Sequence, residues 1–389
     1  MNEQPAEPPC VLLIRASGEM ALGAEEVVIQ LASMLPQQGW KASILTVTDA
    51  RDQSNGLFRK ATALGLNVHE VLSRGRLDPS IVTAIRSLAV AQRATVLHSH
   101  GYKENLHTLA ARTGLPTIAT NHLWKRSTLK LRLYALLDSL LIGRFNATVG
   151  VSAEICEEMR NLPFVRSSRV SYVSNGIRLS SSASSRERGS SLERPLIITT
   201  VSSLTAEKGI TYLIDALAAP AVARLHWRLR IIGDGPLREA LEAQVRERSL
   251  QERVDFLGFR SDVPSLLEDT DTFVLPSLSE GLPMALLEAM AAGCSIVASS
   301  VGQVPHALST PECGILVPPA DPKALGGALT ILIADPEIRD GLGSAAREAV
   351  KRFSSEQMAR AYASLYRDIL GDTAHSRTDP ATTRNGDGR

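Results

Sequence analysis

The segment PSLSEGLPMALLEAMAAG, residues 276–293, carries two carboxylates, Glu280 and Glu288, within a pattern that could do chemistry. The run up to Leu275 predicts a strand, and a helix is expected to begin near Pro283, because proline suits the first helical position and Gly293 makes a natural C-terminal stop. Glu280, Gly281 and Leu282 would then form a loop at a helix N-terminus. Free backbone N–H groups there suit a diphosphate, and the helix dipole adds about 0.3–1 kcal/mol. Carboxylates beside such a site repel the anion, so they are better placed to accept protons from sugar hydroxyls. Glu280 would reach beyond the phosphates, and Glu288 lies on a helix face able to turn back toward them. The plainer alternative is a helix-capping Glu280 and a solvated Glu288.

The elements around this segment alternate. Cys10–Ile14 reads as a strand, followed by a Gly-containing loop and a helical apolar spacing over Glu25–Leu35. Ala42–Val47, Thr95–His98, Thr117–Ala119 and Ala147–Val151 read as further strands between helix-like segments. Such alternation predicts a parallel sheet covered by helices on both faces. Ser180–Ser191 is Ser, Arg and Glu with few apolar residues, the composition of a linker or exposed loop. The alternation then restarts with Leu196–Val201 and runs through Ile210–Leu217, Arg228–Ile232, Leu237–Arg248, Val254–Leu257, Thr272–Leu275 and Pro283–Ala292 to Ser295–Ala298. The expected class is α/β, with two doubly wound Rossmann-like domains. Their proposed bounds are 1–178 and 195–353, with a linker at 179–194, a C-terminal helix at 354–371 packing back on the first domain, and a disordered tail at 372–389. Ligands in such sheets bind outside the carboxyl ends of the strands, so the functional loops are expected to face a cleft between the domains. Gly233 and Gly235 in GDGP signal a tight turn after a strand. His98, His100 and Lys103 end another strand and are expected on the cleft side.

Composition removes several classes. The 389 residues are 44% hydrophobic and 21% charged, with a formal net charge of +1. That is a globular composition without the basic field a nucleic-acid partner needs. The first nine residues contain Glu3 and Glu7 and no apolar core, unlike a signal peptide, and no apolar run reaches the roughly 20 residues of a spanning helix. A cytoplasmic location is expected. Cys10, Cys156, Cys294 and Cys313 show no CxxC or Cys/His metal spacing, so buried thiols are expected rather than a zinc site. Residues Trp124–Phe145 place Lys125, Arg126, Lys130, Arg132 and Arg144 among leucines, which suits either peripheral contact with an anionic membrane or a core helix with a solvated basic face.

The pair Glu280 and Glu288, in the setting quoted above, resembles the E-x7-E signature of family 4 of the retaining glycosyltransferases. Other segments resemble that family's blocks in the same order. They are HSHGYKENLHTLAARTGLPTIATNHLW at 98–124, VSNGIR at 173–178, VSSLTAEKGITYLIDAL at 201–217, IIGDGPLREAL at 231–241, VDFLGFRSDV at 254–263 and GILVPPADPKAL at 314–325. The resemblance spans roughly residues 10 to 370. It implies a GT-B fold with the nucleotide-sugar donor, UDP- or GDP-linked, on the C-terminal domain and a glycan or lipid-linked acceptor on the N-terminal one. It implies transfer with retention, no cofactor and no required metal, in bacterial cell-surface polysaccharide synthesis.

Residue by residue, Lys208 matches the lysine that pairs with donor phosphate, a sensible place for a point charge because the leaving diphosphate gains charge. Glu280 matches the glutamate near the transferred sugar, and Glu288 the one holding the ribose hydroxyls. Gly281, Leu282 and Pro283 frame the phosphate loop, Gly233 the turn beside it, and Phe259 and Arg260 lie where the base is gripped. Gly23 matches a glycine that admits the diphosphate, and His122 a histidine beside the reacting carbon. Ser203 stands in the donor site where the family usually has arginine, Arg178 where it has aspartate, His306 where glutamate is common, and Leu22 at the first glycine of an N-terminal pair. These departures keep open a noncatalytic GT-B subunit that partners an active transferase. A nucleotide-sugar epimerase is a further alternative, which the EGLP…E block opposes.

Overall fold

The computed structural model describes residues 7–18, 23–52, 54–75, 78–122, 129–179, 194–308 and 312–378, with the backbone alone at 129–135 and 372–378. They form two compact units. The first holds the chain up to Gly150, Ile155–Val173 and the residues from Met358 onward; the second holds Val151–Glu154 and Ser174–Gln357.

The first unit is built on strands β1 (Cys10–Ala16), β2 (Lys41–Asp49), β3 (Val68–Ser73), β4 (Ala94–Ser99), β5 (Thr117–Asn121), β6 (Ala147–Gly150) and β7 (Val170–Tyr172). They lie in the order β3-β2-β1-β4-β5-β6-β7, and every pairing is parallel. Helices α1 (Gly23–Met34), α2 (Gly56–Ala63), α3 (Pro79–Ala91), α4 (Tyr102–Ala111), α5 (Leu129–Ile142) and α6 (Ala153–Arg160) join them. A parallel sheet is covered on both faces, so its strands read as unbroken apolar runs. Val11, Leu12, Leu13 and Ile14 are accordingly all fully buried. Burial of each such side chain stabilises by about 1.5–3 kcal/mol, and Leu12→Ala would leave a cavity costing about 2–5 kcal/mol. The turns are locally encoded: Asp78 accepts from the Ser80 N–H and Pro79 follows it, starting α3.

The second unit repeats the plan with β8 (Leu196–Val201), β9 (Trp227–Ile232), β10 (Val254–Gly258), β11 (Thr272–Leu275), β12 (Ser295–Ser299) and β13 (Ile315–Val317), in the order β10-β9-β8-β11-β12-β13 and again parallel. Helices α7 (Ile210–Ala218), α8 (Pro220–Ala223), α9 (Arg238–Glu247), α10 (Val263–Glu268), α11 (Met284–Ala292), α12 (Val304–Leu308), α13 (Pro322–Ala334) and α14 (Pro336–Ala349) pack around it. Strand residues Ile198, Leu229, Ile231, Val274 and Val297 form one apolar core with Leu213, Leu217 and Leu329 from the helices.

Two boundaries differ from the sequence reading. Pro283 is extended (φ −74°, ψ 132°) and serves as the N-cap, so α11 starts at Met284 rather than at the proline. The last helix, α15 (Ser355–Thr378), runs past residue 371, where a disordered tail was expected. From Met358 its residues belong to the first unit. Among the described residues no helix is long and apolar enough to cross a membrane. The linker at 180–193, Leu22, and Trp124, Lys125 and Arg126 of the basic stretch lie outside the described residues.

Candidate functional site

In the second unit the structure brings Lys208 and Glu280 together. Lys208 Nζ lies 2.7 Å from Glu280 Oε1, and the Ser277 hydroxyl donates to the same oxygen at 2.7 Å. The glutamate side chain is 8% exposed and the lysine 21%, so the pair is partly screened from water. A hydrogen bond to a charged group contributes about 1.5–3 kcal/mol.

Backbone contacts between distant segments hold this pair in place. Lys208 ends a single 3-10 turn, Ala206–Lys208, after which Gly209 takes φ +64°. A Cβ at 209 would stand 2.1 Å from the Pro276 carbonyl oxygen, so glycine alone lets the lysine turn approach the carboxylate loop. The Leu278 N–H then donates to the Glu207 carbonyl at 2.8 Å. On the opposite side, Gly302 (φ +53°) lies so close that a Cβ would meet the Glu280 carbonyl oxygen at 2.0 Å. Gln303 N–H donates to Gly281 O at 3.1 Å, and the buried Asn175 donates through Nδ2 to Leu282 O at 3.0 Å. Two segments, Gly302–Gln303 and Asn175, thus hold the loop Glu280–Leu282 by its carbonyls at the start of α11, whose first N–H groups have no partners within the helix. Glu288 lies half-buried in α11 between buried Leu287 and Ala289.

The remaining donor-side candidates fall into two groups. Gly233 belongs to a turn stitched to the end of β8: its N–H donates to Gly258 O at 2.8 Å, and a Cβ there would sit 1.9 Å from Ser202 O. Internal packing alone therefore explains that glycine. Ser203 is half-buried one residue further on, its hydroxyl 3.5 Å from that of Thr205. Phe259 is 50% exposed. Arg260 is held in a fork by Asp262, at 2.7 and 2.6 Å, so its guanidinium has a partner two residues away. Arg178 is exposed. His306 is exposed on α12, its carbonyl taken by Arg352 at 2.7 Å. Beside it, burial opposes the charge on Glu154, but the hydrogen bonds from Gln303 Nε2 at 2.8 Å, from its own backbone N–H and from Ser152, with His306 nearby, together outweigh this and hold its carboxyl below the usual range.

In the first unit His122 follows β5, its Nε2 3.1 Å from His100 Nδ1. Burial, with Arg15 adding to it, pushes the His122 pKa down to about 3. His98 is likewise pushed down to about 3 by burial and then by His122, and His100 lies well below the usual value for the same first reason. At neutral pH all three are uncharged imidazoles, able to accept or donate a hydrogen bond but not to deliver a proton from an imidazolium. His98 and His100, expected on the cleft side at a strand end, are fully buried. His98 bridges Tyr366 Oη and Thr120 Oγ1, each at 2.7 Å, and Thr120 in turn meets Tyr362 Oη at 3.0 Å. These contacts, with the Arg367 guanidinium donating to the Gln38 carbonyl at 2.8 Å, tie α15 to its own unit. Gly23 is the first residue of α1, and a Cβ there would meet nothing within 4 Å, so packing makes no demand for glycine. All four cysteines are free and buried, and no group of metal-binding side chains occurs among the described residues.

The sequence singles out Lys208 and Glu280, which the structure brings together, but not Ser277, Asn175, Gln303, Gly209 and Gly302, which pack around them. Asn175 lies in VSNGIR, three residues before Arg178, and Gln303 lies three residues before His306. Only the folded chain shows that Asn175 and Gln303 make the contacts.

Solved structures share this architecture. HepE of Anabaena, crystallised with UDP-glucose, matches with a TM-score of 0.76 at 20% identity, over 94% of this chain and 99% of its own. The fold is that of the GT-B glycosyltransferases. A family model described as Glycosyltransferase Family 4 matches residues 22–181, and one described as Glycosyl transferases group 1 matches residues 182–349. The two abut over most of the chain, which belongs to this family of transferases. Among curated relatives, the α-D-kanosaminyltransferase of Streptomyces kanamyceticus is 33% identical over 187 residues, covering 47% of this chain and 48% of that protein. The amylovoran biosynthesis glycosyltransferase AmsK of Erwinia amylovora is 33% identical over 146 residues, 36% of each chain. The match spans about half the length of the first of these relatives and about a third of the second.

Proposed function

We propose that the protein transfers a sugar, with retention of anomeric configuration, from a nucleoside-diphosphate sugar to a glycan or lipid-linked acceptor in cell-surface polysaccharide synthesis. The observation that carries this reading is the Lys208–Glu280 pair, gripped at the N-terminal end of α11. A lysine and a helix N-terminus together supply positive charge to a leaving diphosphate without requiring a metal. The carboxylate of Glu280, already oriented by Ser277, accepts from hydroxyls of the transferred sugar, and Glu288 accepts from those of the ribose. Phe259 and Arg260 flank the base. The acceptor hydroxyl oxygen bonds to the anomeric carbon as the bond from that carbon to the diphosphate breaks. The departing diphosphate oxygen takes the hydroxyl proton on the same face, so no enzymic carboxylate attacks the sugar. In the first unit, His122 orients the acceptor through its neutral ring or its carbonyl. The UDP-glucose complex of HepE supports a uridine donor, and AmsK's role in amylovoran synthesis supports a polysaccharide product.

Thermal shift and donor hydrolysis across UDP-, GDP- and ADP-sugars test the reading, with Glu280→Ala and Lys208→Ala beside wild type. One donor class is expected to stabilise the wild type and to be hydrolysed slowly, with both effects lost in the variants. Failure of every nucleotide sugar to bind would overturn it. Binding without turnover in the presence of acceptor would instead favour a noncatalytic partner subunit, the reading that Ser203 motivates by removing a guanidinium from the phosphate site.

The location proposed is the cytoplasm, with peripheral contact to an anionic membrane through the basic stretch at 124–145, where Leu136, Leu137 and Leu140 are exposed. Co-sedimentation with vesicles containing phosphatidylglycerol is the expected result. Equal partitioning with and without the anionic lipid would remove the proposal.

A further inference from the structure

The first unit contains a cavity of about 370 Å³ that none of the roles above uses. Its floor is made by the carboxyl ends of three neighbouring strands, at Ala16 of β1, Asp49 of β2 and Ser73 of β3, and one wall by α4, which follows β4. Strands β1 and β4 are neighbours from which the sheet runs in opposite directions, the topological switch point where α/β sheets bind ligands. The volume lies within the roughly 300–1,000 Å³ of small-molecule sites.

The polar groups in this cavity are unequally committed. Arg15 donates through Nε and Nη2 to Glu25 Oε1, at 2.9 and 2.8 Å, and through Nη1 to the His100 carbonyl. Glu104 uses Oε1 to accept from the Ala16 N–H at 2.8 Å. His107 is different. It is 4% exposed, and its Nδ1 lies 2.7 Å from the Lys103 carbonyl oxygen, which can only accept, so Nδ1 carries the hydrogen. In the neutral ring Nε2 is then a lone-pair acceptor, and this buried atom has no hydrogen-bond partner. Buried polar atoms are rarely left so. Around it carboxylates outnumber cations: Glu25, Asp49, Asp52 and Glu104 line the cavity with Arg15 and Lys103, and Asp49 is also paired with the exposed Arg51 at 2.6 Å. An orphaned acceptor in a carboxylate-rich cavity calls for a ligand that donates hydrogen bonds and carries no negative charge.

We propose that this cavity binds a neutral or amino-substituted sugar ring, whose hydroxyls or ammonium donate to His107 Nε2 and Asp52, and that it discriminates against uronates and sugar phosphates. Resting on the transfer reading above, this names the acceptor's chemistry: an uncharged or cationic glycan end rather than an anionic one. Like charges at the cavity reject the anions, and a site built of acceptors gains nothing from a ligand made of acceptors.

The test is binding, not turnover, on the full chain. Saturation-transfer NMR titrations would use methyl α-glucoside, methyl α-glucosaminide, methyl α-glucuronide and glucose 6-phosphate as probes. The first two are expected to bind and the last two not. His107→Phe is expected to weaken the glucoside about tenfold, the loss of one good hydrogen bond. Because His107 is buried and its replacement could unsettle the fold, Asp52→Lys on the exposed loop provides the second arm. It should weaken the glucosaminide about tenfold and admit the glucuronide. Anionic probes binding as well as neutral ones, no probe binding, or a profile unchanged by Asp52→Lys would each overturn the inference. UDP binding measured on the same samples reports separately on the donor reading, so the two can fail independently.

Discussion

A carboxylate and a lysine 72 positions apart in sequence meet at 2.7 Å, so any ligand that takes one of them has to share it with the other. Removing Lys208 leaves the partly buried Glu280 carboxylate with the Ser277 hydroxyl, and removing Glu280 takes from the lysine its carboxylate partner. Lys208→Met is expected to destabilise the protein by about 1.5–3 kcal/mol in urea denaturation, and the double variant with Glu280→Gln by less than the sum of the singles. Additive losses would show that the pair does not interact in solution. The glycines separate packing from ligand chemistry at the same scale. Gly209→Ala and Gly302→Ala put a Cβ about 2 Å from a carbonyl oxygen at positive φ, so each should cost about 1–3 kcal/mol or more. Gly23→Ala meets no atom, so melting should leave its stability unchanged; a loss of UDP-sugar affinity with unchanged stability would assign that glycine to ligand approach.

At the scale of elements, α15 is held to the first unit by two buried tyrosines on neutral histidine and threonine partners. Tyr366→Phe strands His98 Nδ1 and is expected to cost about 1 kcal/mol. The same contacts give the unit an acid sensitivity whose sign is fixed. His98 and His122 have folded pKa values of about 3 against an ordinary 6.5, so between those limits the unfolded chain binds more protons than the folded one. Their contribution is complete above about pH 6.5 and is lost as the pH falls toward 3, with a slope approaching ~1.4 kcal/mol per pH unit for each histidine. Denaturant titrations from pH 8 to pH 4 check this, and His98→Asn should flatten the slope. Sequence made these histidines visible at a strand end, but not their partners. Tyr362 and Tyr366 lie more than 240 positions away, and helical periodicity shows only that they share a face of α15.

For the whole molecule, two parallel sheets of different size carry separate candidate groups: one unit bears Lys208 and Glu280, the other His122 and the carboxylate-lined cavity. Hydrogen exchange gives each unit its own readout. UDP is expected to protect amides at 201–209 and 276–286, and methyl α-glucoside those at 100–107. Protection by UDP confined to the first unit would reverse the assignment.

The sequence alone determined the strand-helix alternation, the restart after residue 194, and the position of Glu280 before a helix, because each depends on residues close together in the chain. It determined less well where an element stops. Pro283 reads as the first helical residue from its fixed φ, but its ψ of 132° makes it the cap; Asn175 and Gln303 hold the two carbonyls just before it, contacts from distant segments that the proline ring does not encode. Only the tertiary structure decided that Lys208 and Glu280 pair, that Gly302 must lack a side chain, and that His98 and His100 are buried under α15. Each of these joins segments that the chain separates by tens to hundreds of residues. A separation of that kind carries no periodicity or local spacing to read, and it becomes a distance only when the strands between have found their order in the sheet.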